Sequence, residues 1–206
     1  MPELNAVIDI SHYNGDVDLG QAKDDGIIGV IHKATQSTNY TDPNYTCNRT
    51  KAADAGLLWG AYHFGTGGDG AAQADYFLSV VSPGPYELLV LDLETNTQGS
   101  SMSLDDAHDF VSRVYDVTGK WPGLYSGSYI KDQLGSNKDE VLSYCWFWLA
   151  QYGSTAVVPA NWPCWTMWQY TDGNYGPDPH SVNGIGNCDR DKFNGDEAGL
   201  RKLWGY

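Results

Sequence analysis

Two acids close one of the most apolar runs in the chain. Residues 88–93 read Leu-Leu-Val-Leu-Asp-Leu, and Glu94 follows, so Asp92 and Glu94 stand two residues apart. In an extended strand that spacing turns both side chains to one face, about 7 Å apart at Cβ. Leu91 and Leu93 then face the opposite way, into a covering layer. A carboxylate buried in such a run is costly unless it is paired or put to use. Neighbouring carboxyls in a poorly solvated place push their pKa values apart, so that one stays protonated at neutral pH while the other ionises. Protonation of a glycosidic oxygen needs such a donor. Asp9 ends a second apolar run, Val7-Ile8-Asp9-Ile10, and Asp189 follows Gly184-Ile185-Gly186-Asn187-Cys188. A single acid at a strand end is most simply a solvated loop start. A D-x-E pair together with Asp9 favours chemistry.

Other catalytic patterns are missing from the sequence. There is no G-x-S-x-G elbow and no H-E-x-x-H pair. Glycines 65, 67, 68 and 70 lack the lysine and hydroxyl residue of a phosphate loop. Histidines 12, 32, 63, 108 and 180 are scattered, so neither a metal nor another cofactor is expected. His63, in Ala61-Tyr62-His63-Phe64, reads either as a pocket residue or as a satisfied histidine at a strand end. Cysteines 47, 145, 164 and 188 form no C-x-x-C pair; two disulfides are allowed, none is required, and three pairings stay open.

Short apolar runs at 5–10, 27–33, 57–63, 88–93, 122–126, 146–150 and 165–170 read as buried strands. Between them, 69–81 begins with an Asp able to cap a helix. Residues 103–118 open on Ser103, carry acids in the first turn and stop near Gly119. Leu104, Ala107, Phe110, Val111 and Val114 give that helix an apolar stripe. The alternation predicts an α/β fold with a parallel sheet. After about residue 135 strands follow one another through loops. The expectation is therefore one domain over 1–206, an irregular (β/α) barrel of about eight strands with helices missing from the last segments. A doubly wound open sheet is the runner-up. In barrels of this kind the strand C-termini form the active face.

The 26 acidic and 12 basic residues leave a formal charge of −14. That sign disfavours nucleic acid and anionic membranes as partners. Eight Trp and fourteen Tyr are more rings than one small core demands, and they divide between core filling and a ligand groove. Residues 39–50 carry three N-x-T sequons, at Asn39, Asn44 and Asn48, which read as chance in a polar loop. The start shows neither a basic nor an apolar leader region, and no apolar run approaches the ~20 residues of a membrane span, so membrane insertion is not expected.

Taken in order, these motifs resemble the glycoside hydrolase family 25 muramidases, the Chalaropsis-type lysozymes. The opening strand is Val7-Ile8-Asp9-Ile10-Ser11, followed by Val30-Ile31-His32-Lys33-Ala34-Thr35 and Gly60-Ala61-Tyr62-His63-Phe64. Asp92-Leu93-Glu94 comes next, then Gly123-Leu124-Tyr125-Ser126, Trp148-Leu149-Ala150-Gln151-Tyr152 and Trp168-Gln169-Tyr170. A closing stretch runs from Gly184 to Asp189 and on to Phe193. Each motif is weak alone; the shared order over nearly the whole chain is specific. One departure stands out: many relatives carry Glu-Gly after Lys-Ala-Thr, whereas this chain has Gln36-Ser37.

The resemblance implies a flattened barrel of eight strands and five helices. It implies cleavage of the β-1,4 bond between N-acetylmuramic acid and N-acetylglucosamine in bacterial peptidoglycan strands. Glu94 would be the general acid and then the base. Asp92 would orient the substrate acetamido group, or attack directly. Asp9 and Asp189 would bracket the site, with Tyr62, Phe64, Tyr125, Trp148, Gln151 and Gln169 as substrate-binding residues. A monomer is expected, either a phage endolysin made in the cytoplasm and released to the wall or a mature secreted enzyme. Two other classes compete. A non-catalytic glycan-binding module would use the same aromatics, but has no need of a protonated acid. A metal-dependent deacetylase would need a His/Asp cluster that is not apparent.

Overall fold

A computed structural model describes residues 3–206. Eight strands close into a barrel. They are β1 (Leu4–Ile10), β2 (Gly29–Gln36), β4 (Leu58–Phe64), β5 (Glu87–Asp92), β6 (Gly123–Ser126), β7 (Trp146–Ala150), β8 (Met167–Thr171) and β11 (Asp189–Phe193). A two-residue strand β3 (Tyr40–Thr41) lies on the edge of β2, and β9 (Ser181–Val182) pairs with β10 (Gly186–Asn187) in a small hairpin. The order around the barrel is β1-β11-β8-β7-β6-β5-β4-β2, closed by parallel pairing of β1 with β2. This closure rules out the open doubly wound sheet. Among the eight barrel strands of the described residues, only β11 runs against its neighbours, antiparallel to both β1 and β8.

The predicted strands appear within a few residues of their expected bounds. Helix α3 (Gly70–Val81) has Asp69 as its cap, the side chain accepting from the Ala72 amide. Helix α4 (Leu104–Thr118) starts at a reciprocal Ser103/Asp106 capping box and ends at Gly119, whose φ of 71° suits glycine. Its stripe of Ala107, Phe110, Val111 and Val114 is fully buried against α3 and the outer faces of β4 and β5. Each large side chain in that layer contributes about 1.5–3 kcal/mol relative to exposure. Gly70 permits the close helix crossing, because a Cβ there would lie 1.8 Å from the Asp106 carbonyl oxygen.

Four helices were not located from the sequence. They are α1 (Leu19–Asp24), α2 (Tyr45–Ala55), α5 (Ser128–Leu134) and α6 (Glu197–Trp204), so the barrel carries six helices where the resemblance implied five. The stretch 39–50 is not wholly a polar loop: α2 begins at Tyr45, just after Asn44, and Asn48 is buried with its amide on His32 Nε2 at 3.1 Å. The sixth helix sends Leu200 and Trp204 into the end of the barrel where the parallel strands begin, with Trp204 Nε1 donating to the Trp59 carbonyl at 2.8 Å.

As expected, no helix follows β7 or β8. Aromatic packing covers the sheet there instead: Trp162 stacks on Phe147 at 4.3 Å and donates to the Cys145 carbonyl, and Trp165 packs beside Trp168. Six of the eight tryptophans but only three of the fourteen tyrosines are buried, so the tryptophans largely fill the core while most tyrosines lie at least partly exposed. All four cysteines are free.

Candidate active site

Alternation along the strands sorts the barrel residues. Val7 and Asp9 face inward on β1 while Ile8 and Ile10 face the helices; Leu88, Val90 and Asp92 face inward on β5 while Leu89, Leu91 and Leu93 face outward. The apolar interior thus gives way to acids at the strand C-termini. Strand β5 ends at Asp92, but the next residues are pinned to β6. The Leu93 amide donates to the Tyr125 carbonyl at 2.9 Å, and the Ser126 hydroxyl donates to the Leu93 carbonyl at 2.6 Å. Glu94 is thereby held just above Asp92. Gly65 allows β4 to pass close by, its amide donating to the Asp92 carbonyl at 2.9 Å.

A cavity of about 200 Å³ opens at this end of the barrel, lined by Asp9, Tyr62, Asp92, Glu94, Tyr125, Trp148, Tyr152, Gln169 and Asp189. Eight of the ten expected site residues therefore converge. Phe64 and Gln151 do not. Phe64 lies under the Lys33 ammonium, 4.9 Å from ring centre to Nζ. The Gln151 amide accepts from Lys131 and donates to the Thr155 carbonyl, so it organises the loop after β7. His63 also turns away, into the helix layer. Its Nε2 donates to Gln73, its Nδ1 meets the Thr35 hydroxyl, and burial lowers its pKa to about 4.

A polar chain orders one wall: the Tyr125 hydroxyl donates to Gln169 Oε1 at 2.8 Å, and Gln169 Nε2 donates to Asp9 Oδ2 at 2.7 Å. Below it, Trp148 Nε1 donates to Asp191 Oδ1 at 2.7 Å. Asp191 is completely buried and was not anticipated. The signal was present, because Asp189-Arg190-Asp191 repeats the spacing of Asp92 and Glu94. A strand of alternating charges, however, does not read as an apolar run. Tyr152 lay inside a recognised motif without being singled out.

Electrostatically the site is a poorly solvated cluster of carboxyls. Burial pushes Asp92 well above the usual carboxylate range, and the Glu94 charge adds to this, while Lys33 opposes it. Burial also raises Glu94, again opposed by Lys33. Asp9 is raised by burial and then by the charges of Asp189 and Asp191, with the Gln169 hydrogen bond pulling the other way. Asp189 is raised to about 7 by burial, Asp172 and Glu94. Asp92 Oδ1 and Asp191 Oδ2 are buried without a hydrogen-bond partner. Among the described residues no three His, Cys, Asp or Glu side chains are disposed to hold a metal ion.

Another cavity, about 450 Å³, opens at the opposite end of β5, β6 and β7 beside Pro85, Trp121, Trp146 and Trp204. Its one acid, Glu87, is tied by two bonds to Arg49. Unlike the cavity at the strand C-termini, it holds no pair of free acids.

Residues 8–178 match the family model described as glycosyl hydrolases family 25. The chain belongs to this family. With it comes the reaction class, hydrolysis of glycosidic bonds in peptidoglycan. Lysozyme M1 of Streptomyces globisporus is 33% identical over 216 residues, covering 95% of this chain and 70% of that protein. The N,O-diacetylmuramidase of Chalaropsis sp is 31% identical over 200 residues, covering 85% of this chain and 92% of its own. The crystal structure of the bacterial lysozyme from Streptomyces coelicolor superposes with a TM-score of 0.86 at 34% identity, covering 97% of each chain. No helix among the described residues is long and apolar enough to cross a membrane.

Proposed function

We propose that this family 25 enzyme is an N-acetylmuramidase that cuts the β-1,4 bond from N-acetylmuramic acid to N-acetylglucosamine, with Glu94 as general acid and Asp92 assisting the substrate. The observation that carries the reading is the arrangement of these two carboxyls, one above the other at a pocket mouth. Glu94 is partly exposed and Asp92 buried, with Asp92 Oδ1 lacking a donor.

Before substrate binds, burial and mutual repulsion favour one shared proton on the pair. An acetamido N–H of the sugar is the donor that Asp92 Oδ1 lacks. Accepting it favours the ionised form of Asp92 and leaves the proton on Glu94, beside the leaving oxygen. As that oxygen departs, the acetamido carbonyl attacks the anomeric carbon while Asp92 stabilises the developing positive charge. Glu94, now ionised, takes a proton from water as the ring intermediate opens. Asp9 and Asp189 add negative potential and accept from sugar hydroxyls, while Tyr62, Tyr125, Trp148 and Tyr152 shape the cleft.

The test is mass spectrometry of digested, purified cell walls. New reducing ends on N-acetylmuramic acid are expected. New ends on N-acetylglucosamine would overturn the bond assignment, and binding without solubilised fragments would favour a glycan-binding module.

A further inference from the structure

Lys33 faces into the barrel mouth from β2, in register with Tyr62 on β4. Its ammonium donates to Gln36 Oε1 at 2.8 Å and lies 4.9 Å from the centre of the Phe64 ring and 5.7 Å from that of Tyr40. It makes no ion pair among the described residues, although Asp92, Asp42 and Glu94 all act on it through space. A half-buried ammonium without a carboxylate against it is costly to desolvate, and two ring faces offset only part of that cost. Its hydrogen-bond acceptor is an uncharged amide. A glutamate in that place would form a close pair whose field falls away quickly with distance. The amide leaves a full positive charge facing the acids.

We propose that Lys33 is the positioning residue that supplies the counter-charge for the Asp92–Glu94 pair, and that the neutral Gln36 leaves that charge undivided. This rests on the muramidase reading for its role in turnover, but its electrostatic core needs no substrate. The other charged or titratable groups facing Lys33 do not substitute for it. From β1 come Asp9 and, just beyond the strand, His12, whose Nδ1 is occupied by Asp42 Oδ2 at 2.8 Å. From β3 and the residue after it come Tyr40 and Asp42, the latter also accepting from the backbone amides of His12 and Asn44. Tyr62 on β4 is held neutral by burial, and His63 faces the helices. Asp189 on β11 is an acid, which works against ionisation of its neighbours. Lys33 pairs in register with Tyr62, which lines the acid cavity, and its ammonium lies over Phe64, the register partner of Asp92 on β5, so it is placed to oppose the raised pKa of both Asp92 and Glu94.

The experiment is a carbon-13 NMR titration of the Asp92 carboxyl in Glu94→Gln protein, which simplifies the coupled pair to one acid and requires no turnover. Adding Lys33→Met is expected to raise the Asp92 midpoint by about one unit or more. Lys33→Arg should restore most of it, and Gln36→Glu should raise it by less than Lys33→Met. In otherwise wild-type enzyme, the acid limb of kcat/KM against pH should move upward in the same order. An Asp92 midpoint unmoved in both Lys33→Met and Gln36→Glu would overturn the proposal, as would an Arg variant as displaced as the Met variant. If Lys33→Met does not fold, Gln36→Glu carries the same test, because it adds charge without removing the lysine. A shifted titration together with the wrong cleavage product would leave this inference standing and sink the muramidase reading.

Discussion

Strand β5 with the residues just past its end, and strand β11, each carry two acids at alternate positions, in opposite order along the barrel. On β5 the deep acid comes first, Asp92, and the mouth acid second, Glu94. On β11, which runs the other way, Asp189 stands at the mouth in register with Asp9, and Asp191 sits below, opposite Val7. Each deep acid keeps one oxygen without a partner. The difference lies in what else they meet. The β5 pair lines the open cavity, and in the proposed reading Lys33 supplies its counter-charge. Asp191 is completely buried under Trp148, whose indole N–H it accepts, and it does not line the cavity. The same spacing therefore gives a pair that lines the cavity on one strand. On the other it gives a mouth acid resting on a structural one.

The comparison breaks most visibly at Glu94. Glu94→Gln should lose about 10²–10⁴ in lytic rate with a thermal midpoint close to wild type, as read by turbidity clearing and calorimetry. Retention of most activity would remove Glu94 from the acid role. Asp92→Asn should also cost heavily, because the amide cannot stabilise a positively charged acetamido-derived ring. A stable thiazoline analogue of that ring should inhibit the wild type. A trapped glycosyl–Asp92 adduct with no such inhibition would replace the assisted route by direct attack.

A smaller effect is expected on β11. Asp191→Asn can still accept from Trp148 and should keep most activity, whereas Asp92→Asn should not; equal losses would show that the two deep acids are equivalent. Stability supplies the sign. Acids whose folded pKa is raised favour the folded state fully below about pH 4, their unfolded value. That contribution is lost as pH rises toward the folded value, which for Asp189 is about 7. The thermal midpoint should fall as pH climbs through that window, and Asp191→Asn should flatten the fall. A midpoint that rises across it would contradict the burial of these acids in uncharged form.

The smallest effect concerns charge at a distance. A protein of formal charge −14 should meet anionic walls more readily when moderate salt shortens the Debye length from about 30 Å at 0.01 M to about 10 Å at 0.1 M. Clearing rates over a sodium chloride series would show a rise. A steady fall would mean that local attraction dominates.

How much of this was legible in the sequence follows from the same two strands. Strand β5 announces itself because its six residues are buried on both faces or nearly so, and apolar runs are the plainest strand signal. Strand β11 reads Asp-Arg-Asp-Lys-Phe, and its place in the sheet comes from pairing with β1 and β8 rather than from its own composition. Helix α4 was visible through its stripe and capping box. Helix α2, with few large apolar residues, was not, because its burial depends on polar contacts such as Asn48 to His32. At the site, acids closing apolar strands were readable, while Lys33 and Asp191 gain their roles only from neighbours on other strands. Phe64 and Gln151 sit in recognised motifs yet do not line the acid cavity, since a motif conveys order along the chain and not which side chains reach one pocket.

The central claim is that Glu94 gives a proton to the departing oxygen. The most direct test compares kcat/KM, which reports only as far as departure of that oxygen, for wild type and Glu94→Gln on two substrates. One is a glycan with an ordinary sugar leaving group; the other is an aryl 2-acetamido glycoside whose phenolate leaves without help. The account predicts a deficit of about 10²–10⁴ on the glycan that shrinks to about tenfold or less on the aryl glycoside. An equal deficit on both would show that Glu94 serves something other than protonation of the leaving group.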